Sequence, residues 1–159
     1  MTLDSTKTVG ARIAPEDAHA VHQLVAGYFA RLDLPGRGAV AELFTPNGRL
    51  TIGATELIGR DAIAQFCAAR DRAQREGART TRHVPGALEL TRLETGRIAG
   101  YSSLLVFAGT GPWPIAAGVP GTVGDCSDVY VRDDADRWWF ESRLVNIVFT
   151  GPSAASFAR

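Results

Sequence analysis

The second half of the chain limits the fold more than any other feature. After Gly77, four long strand-like segments follow one another: "ARTTRHVPGALELTRLE", "RIAGYSSLLVFAG", "TVGDCSDVYVRDD" and "RWWFESRLVNIVFTG". The links "ETGR" and "DDADR" have hairpin composition, because Gly and Asp accept the backbone angles that tight turns need. A third link, "TGPWPIAAGVPG", is longer and rich in Pro and Gly, as a loop over a pocket mouth would be. Strands joined this way make an antiparallel meander, and such a sheet has an apolar face to bury.

The cover comes from the first half. Pro15 fits the first turn of a helix, and Glu16 and Asp17 sit where a helix N-terminus favours anions. Val21, Leu24, Val25, Tyr28 and Leu32 recur at helical spacing. Asp33 and "LPGRG" stop that helix. "AVAELF" predicts one or two more turns, ended by a turn at "TPNG". "RLTIGATELIG" predicts two short strands around Gly53 and Ala54. "GRDAIAQFCAARDRAQREG" predicts a second long helix with Ile63, Phe66, Cys67 and Arg70 on one side and Gly77 as its C-cap. Helices segregated from strands predict an α+β fold. The expected form is a cone-shaped barrel: a curved, mainly antiparallel sheet wrapped around the N-terminal helices, with an internal pocket. Residues 1–12 are expected to be a flexible arm, 13–150 one domain, and 151–159 a tail that is either loose or a lid.

Composition narrows the partners. Seventeen basic residues balance seventeen acidic ones, which argues against a nucleic-acid partner, since phosphate binding needs a basic surface. No apolar run reaches the length of a membrane span, and the polar "MTLDSTKTVGARIAPED" lacks the apolar core of a secretory signal. Cys67 and Cys126 have no metal-ligand spacing and read as reduced thiols in a cytoplasmic protein. His19 and His22 are neighbours on a helix surface, but no third ligand is spaced to complete a metal site. No metal and no cofactor are expected.

The order of several short motifs resembles the SnoaL-like group of the nuclear-transport-factor-two-like superfamily. "YFARLD" resembles the Tyr-x4-Asp ending of the first helix, and "AELFTPNGRL" the turn into the first strand, with Asn47 where Asp is usual. "IGRDAIAQF" resembles the start of the later helix and "TTRHVPG" the opening of the "RH" strand. "GDCSDVYVRDDADRWWFESR" resembles the last hairpin, with Cys126 where Tyr is usual. The match spans roughly residues 15–150. Scytalone dehydratase, polyketide cyclases, ketosteroid isomerase and bile-acid dehydratase belong to that superfamily, so one fold there hosts several reactions.

The resemblance implies that Asp33 and His83 face each other across the cavity. A carboxylate bonded to one imidazole nitrogen fixes the tautomer and raises the basicity of the other. The alternatives are that Asp33 caps the "PGRG" turn and that His83 is a satisfied core histidine. Tyr28 would hydrogen-bond a substrate oxygen or simply pack. Asp128 and Arg143 would polarise the substrate or form a structural ion pair across strands. Only one of Asp125 and Asp128 can face inward, because side chains alternate along a strand. Phe66 and Trp113 are candidate pocket aromatics. Trp138 and Trp139 are adjacent on a strand, so one faces in and the other out, and the outward ring hints at a subunit contact.

The chain also departs from the dehydratase pattern. No His follows His83, and no acid lies in "GYSSLLVF", where Tyr101, Ser102 and Ser103 are the polar candidates. The expected function is a cofactor-independent lyase or isomerase (dehydratase, double-bond isomerase or cyclase) acting on an apolar polyketide-like or steroid-like hydroxy-carbonyl compound. His83, Asp33 and Tyr28 would be catalytic, and Asp128, Arg143, Trp113, Phe66 and Tyr101 would bind substrate. A non-catalytic domain for an apolar ligand is one alternative. A structural subunit, like the β-subunit of a ring-hydroxylating dioxygenase, is another. An open antiparallel sheet also has an outer face that self-association would cover, and a homodimer or homotrimer is expected.

Overall fold

The computed structural model describes residues 12–116 and 118–158. The flexible arm expected over residues 1–12 falls almost entirely outside them. Two helices, seven strands and two short 3-10 turns follow in the order α1 (Pro15–Asp33), a 3-10 turn at Val40–Leu43, β1 (Phe44–Ile52), β2 (Thr55–Ile58), α2 (Arg60–Glu76), β3 (Arg79–Pro85), β4 (Glu89–Arg92), β5 (Ile98–Thr110), β6 (Thr122–Arg132), β7 (Trp138–Thr150) and a 3-10 turn at Ser156–Ala158. The strands form one seven-stranded sheet in the order β2-β1-β7-β6-β5-β3, with β4 also on β5. Every pairing is antiparallel except β1 with β7. This is the expected α+β architecture: a curved, open, mostly antiparallel sheet with the helices against one face.

Two local expectations are corrected. "TPNG" is not a turn but part of β1, where the β1–β7 register shifts between Phe44 and Arg49. The irregularity absorbs the Pro and Gly that made the stretch look like a turn. The first strand-like segment after α2 is two strands. Pro85 ends β3, and β4 then takes up the other half of β5.

Alternation along β6 separates the faces cleanly. Thr122, Gly124, Cys126, Asp128 and Tyr130 are buried, while Asp125 and Ser127 lie on the other side. The inward acid is therefore Asp128. Trp138 is the inward Trp of its pair and Trp139 the outward one. Gly100 opens room for the core at this end: a Cβ there would lie 2.7 Å from the Tyr130 ring.

Helix α1 is tied down at both ends. Its N-terminal Asp17 is buried and accepts from Trp138 Nε1 (3.1 Å), Arg92 Nη2 (2.9 Å) and Arg132 Nη1 (3.2 Å). At the other end Leu32 O accepts from Arg70 Nη1 of α2 at 3.1 Å, and Asp33 O from Arg82 Nη1 at 3.4 Å. Arginines thus satisfy carbonyls that a helix C-terminus leaves without intrahelical partners. A core of Val21, Val25, Phe29, Phe44, Leu50, Ile63, Ile98 and Phe140 lies between helices and sheet.

Candidate active site

A cavity of about 520 Å³ opens between α1, α2 and the inner face of the sheet. That size is within the ~300–1,000 Å³ usual for small-molecule sites. Leu50, Leu104, Val106, Val145, Ile147 and Phe66 supply much of its apolar wall. The C-terminal segment closes one side. Ser153 to Phe157 line the cavity, and the Phe157 ring meets Phe66 edge-on at 5.3 Å. Of the two readings for the tail, residues 153–157 follow the packed one.

Asp33 and His83 meet at the polar end. His83 Nδ1 lies 2.7 Å from Asp33 Oδ1, and the His83 backbone N–H donates to Asp33 Oδ2 at 2.6 Å. Thr81 Oγ1, two residues earlier on the same face of β3, donates to Asp33 Oδ1 at 3.1 Å. The two side chains are 11% and 8% exposed, His83 and Asp33 respectively. Burial pushes the Asp33 carboxyl up, but hydrogen bonds and charge from His83, with help from Thr81, outweigh it and hold the carboxyl below the usual range. An ionised Asp33 accepts a hydrogen bond from Nδ1–H, which in the neutral imidazole leaves Nε2 as the unprotonated nitrogen. His83 lines the cavity and Asp33 sits behind it. Phe29 stacks on the imidazole at 5.9 Å.

Helix α2 adds a second layer that sequence reasoning missed. Arg70 Nη2 donates to Thr81 Oγ1 at 3.1 Å, and Gln74 Nε2 approaches the same oxygen at 3.4 Å. Arg70 and Gln74 also line the cavity. The available signal was a cation on the otherwise apolar inner stripe of α2. Thr81 was signalled by strand alternation, which places residues two apart on one face.

Tyr28 is buried in the cavity wall, and its hydroxyl makes no hydrogen bond with any described residue. Burial pushes its phenol well above the usual tyrosine range, so the group is a proton donor rather than a phenolate. Cys67 is also on the wall. Burial pushes its thiol up to about 11, which makes it a poor nucleophile at neutral pH. His19 and His22 are exposed on α1.

The expected substrate-binding group is only partly brought together. Phe66 lines the cavity. Asp128 and Arg143 lie in the interior as an ion pair and do not line it. Trp113 is outside: it is 70% exposed, with its Nε1 on Thr80 Oγ1 and Arg82 over its ring. Tyr101 is on the outer face, 48% exposed, donating to Asp125 at 3.0 Å. The physical reason is strand phase: Ser102, its neighbour, takes the inward position opposite Cys126.

The fold matches solved structures that share little sequence with it. ActVI-ORFA from Streptomyces coelicolor has a TM-score of 0.75 at 20% identity, covering 87% of this chain and 100% of that one. A candidate scytalone dehydratase from Novosphingobium aromaticivorans has a TM-score of 0.70 at 18% identity, covering 88% and 89%. An NTF2-like protein with a cystatin-like fold, also from Novosphingobium aromaticivorans, has a TM-score of 0.70 at 21% identity, covering 91% and 90%. No curated protein matches the chain in sequence. The model of the SnoaL-like domain matches residues 14–144. These residues run from the start of α1 into β7 and include the whole Asp33–His83 arrangement, so the chain belongs to the SnoaL-like domain family.

Proposed function

We propose that the chain is a cofactor-independent lyase or isomerase of the cyclase and dehydratase type, acting on a mostly apolar hydroxy-carbonyl compound. One observation carries this reading. Asp33 takes both the Nδ1 edge and the backbone N–H of His83, so the imidazole is oriented and its Nε2 is left for the cavity. That arrangement suits general acid–base work at neutral pH, which typically supplies ~10²–10⁴-fold in rate.

In the proposed reaction, Nε2 of His83 removes a proton from the carbon beside the substrate carbonyl. The electron pair moves onto the carbonyl oxygen, and Tyr28 donates a hydrogen bond to it. Asp33 stabilises the imidazolium that forms. The same imidazolium then returns the proton. Delivered to a departing hydroxyl it completes a dehydration, and delivered to a more distant carbon it completes a double-bond shift. If the enolate carbon instead attacks a second carbonyl, that carbonyl's π electrons pass to its oxygen, the imidazolium returns the proton there, and the product is a ring. The apolar wall fits a polyketide-like or steroid-like body.

The test is a panel of hydroxy-ketones and enones followed by product analysis. His83→Ala and Asp33→Asn are expected to lower turnover by at least about ten-fold each while keeping the fold. Full activity in either variant would overturn the proposal. A second reading is favoured by the thin polar inventory of the wall, where His83 is the one imidazole among the described lining residues. In that reading the cone holds an apolar ligand without chemistry, and the same panel would give binding without product.

A further inference from the structure

The Asp128–Arg143 pair is costly for what it does in the fold. Both side chains are 0% exposed. Arg143 Nε donates to Asp128 Oδ1 at 2.8 Å and Nη2 to Oδ2 at 2.7 Å. Tyr130 Oη donates to Oδ2 at 2.6 Å. Apolar residues of similar volume often serve a core as well as such a pair, because two charges must be desolvated to bury it. Moreover, Arg143 Nη1 has no hydrogen-bond partner among the described residues.

What the cation touches explains it better. The guanidinium carbon lies 4.1 Å from the centre of the Tyr28 ring, closer than to Phe140 at 4.5 Å or Phe29 at 5.1 Å. Of these three rings, only that of Tyr28 carries a hydroxyl, and Tyr28 lines the cavity. Asp128 is held from behind by Tyr130. The pair therefore sets its positive end against Tyr28. Burial pushes the Tyr28 phenol up, Arg143 pulls it down, and Cys67, Cys126 and Asp128 each push it up more weakly than Arg143 pulls. A cation against a ring face acts more strongly when both are out of water than when they are exposed.

We propose that Arg143 is a positioning residue that acts through Tyr28: its sealed charge makes the Tyr28 hydroxyl a stronger donor to an enolate or phenolate oxygen in the cavity. This rests on the reading of Tyr28 as the donor to the substrate oxygen. Asp128 then serves to hold the guanidinium under the ring. Arg143 does not touch substrate.

The experiment installs 2,3,5-trifluorotyrosine at position 28 of the full chain and follows its phenol by fluorine NMR against pH. It needs no substrate. In the double variant Arg143→Met with Asp128→Leu, which leaves no orphaned charge, the midpoint is expected to rise by about one unit or more. In Asp128→Asn, where Arg143 loses its counter-charge, the midpoint is expected to fall. The two variants move the midpoint in opposite directions, so either one that folds decides the matter. A midpoint that stays within about 0.2 unit in the variants that fold, or a rise in Asp128→Asn, overturns the proposal. Full turnover in Tyr28→Phe would instead overturn the reading on which the proposal rests, whatever the titration shows.

Discussion

The molecule contains two carboxylate–base pairs, and they are built differently. Asp33 and His83 join α1 to β3 at the edge of the cavity, with the base facing in. Asp128 and Arg143 join β6 to β7 in the interior, with neither side chain exposed. In the first pair the base is an imidazole, a side chain that proteins use in both neutral and charged forms. In the second it is a guanidinium, which stays charged. Burial alone would lower the Arg143 cation's affinity for its proton, but the Asp128 charge and hydrogen bonds more than restore it. The difference teaches how one fold divides electrostatic work. The imidazole lines the cavity, and the permanent charge is sealed in the interior.

The sealed pair gives the largest effect on breaking. Arg143→Met alone leaves Asp128 buried without its partner, and chemical denaturation is expected to show a loss of about 3–5 kcal/mol. Replacing both residues by apolar ones is expected to recover most of that loss. The cavity pair breaks differently, with turnover falling at least about ten-fold in Asp33→Asn while the melting transition survives. Next comes the layer behind it. Arg70→Met removes the donor to Leu32 O and Thr81 Oγ1, and a loss of about 1–3 kcal/mol is expected by the same denaturation measurement.

A pH series sharpens the contrast further. Asp33 is held below the usual carboxylate range in the folded state. Its contribution to stability is therefore present above the unfolded value of ~3.9 and is lost as pH falls through the lower folded value. The stability gap between the wild type and Asp33→Asn should be level at neutral pH and narrow in acid. The smallest effect is expected outside both pairs. Tyr101→Phe removes one exposed hydrogen bond to Asp125, so neither stability nor turnover should change measurably.

Much of this could be read before folding. The period of Val21, Leu24, Val25 and Tyr28 set α1 correctly to Asp33, and the hairpin links placed β4 to β7. The SnoaL-like motifs brought Asp33 and His83 together although they are fifty residues apart. Three things were not legible. Strand phase could not be settled from alternation alone, so Tyr101 was expected inside when Ser102 takes that place. Trp113 was judged by its type, yet it sits on the surface over Arg82. The roles of Arg70, Gln74 and the 153–157 segment depend on contacts between elements distant in sequence, which local periodicity does not encode.

The most direct test of the central claim is a nitrogen-15 NMR spectrum of the His83 ring, assigned by His83→Ala and recorded at alkaline pH where the imidazole is neutral. With Asp33 accepting from Nδ1–H, His83 should be the Nδ1–H tautomer, and Asp33→Asn should shift it toward Nε2–H. An Nε2–H tautomer in the wild type, or a spectrum that Asp33→Asn leaves unchanged, would contradict the account.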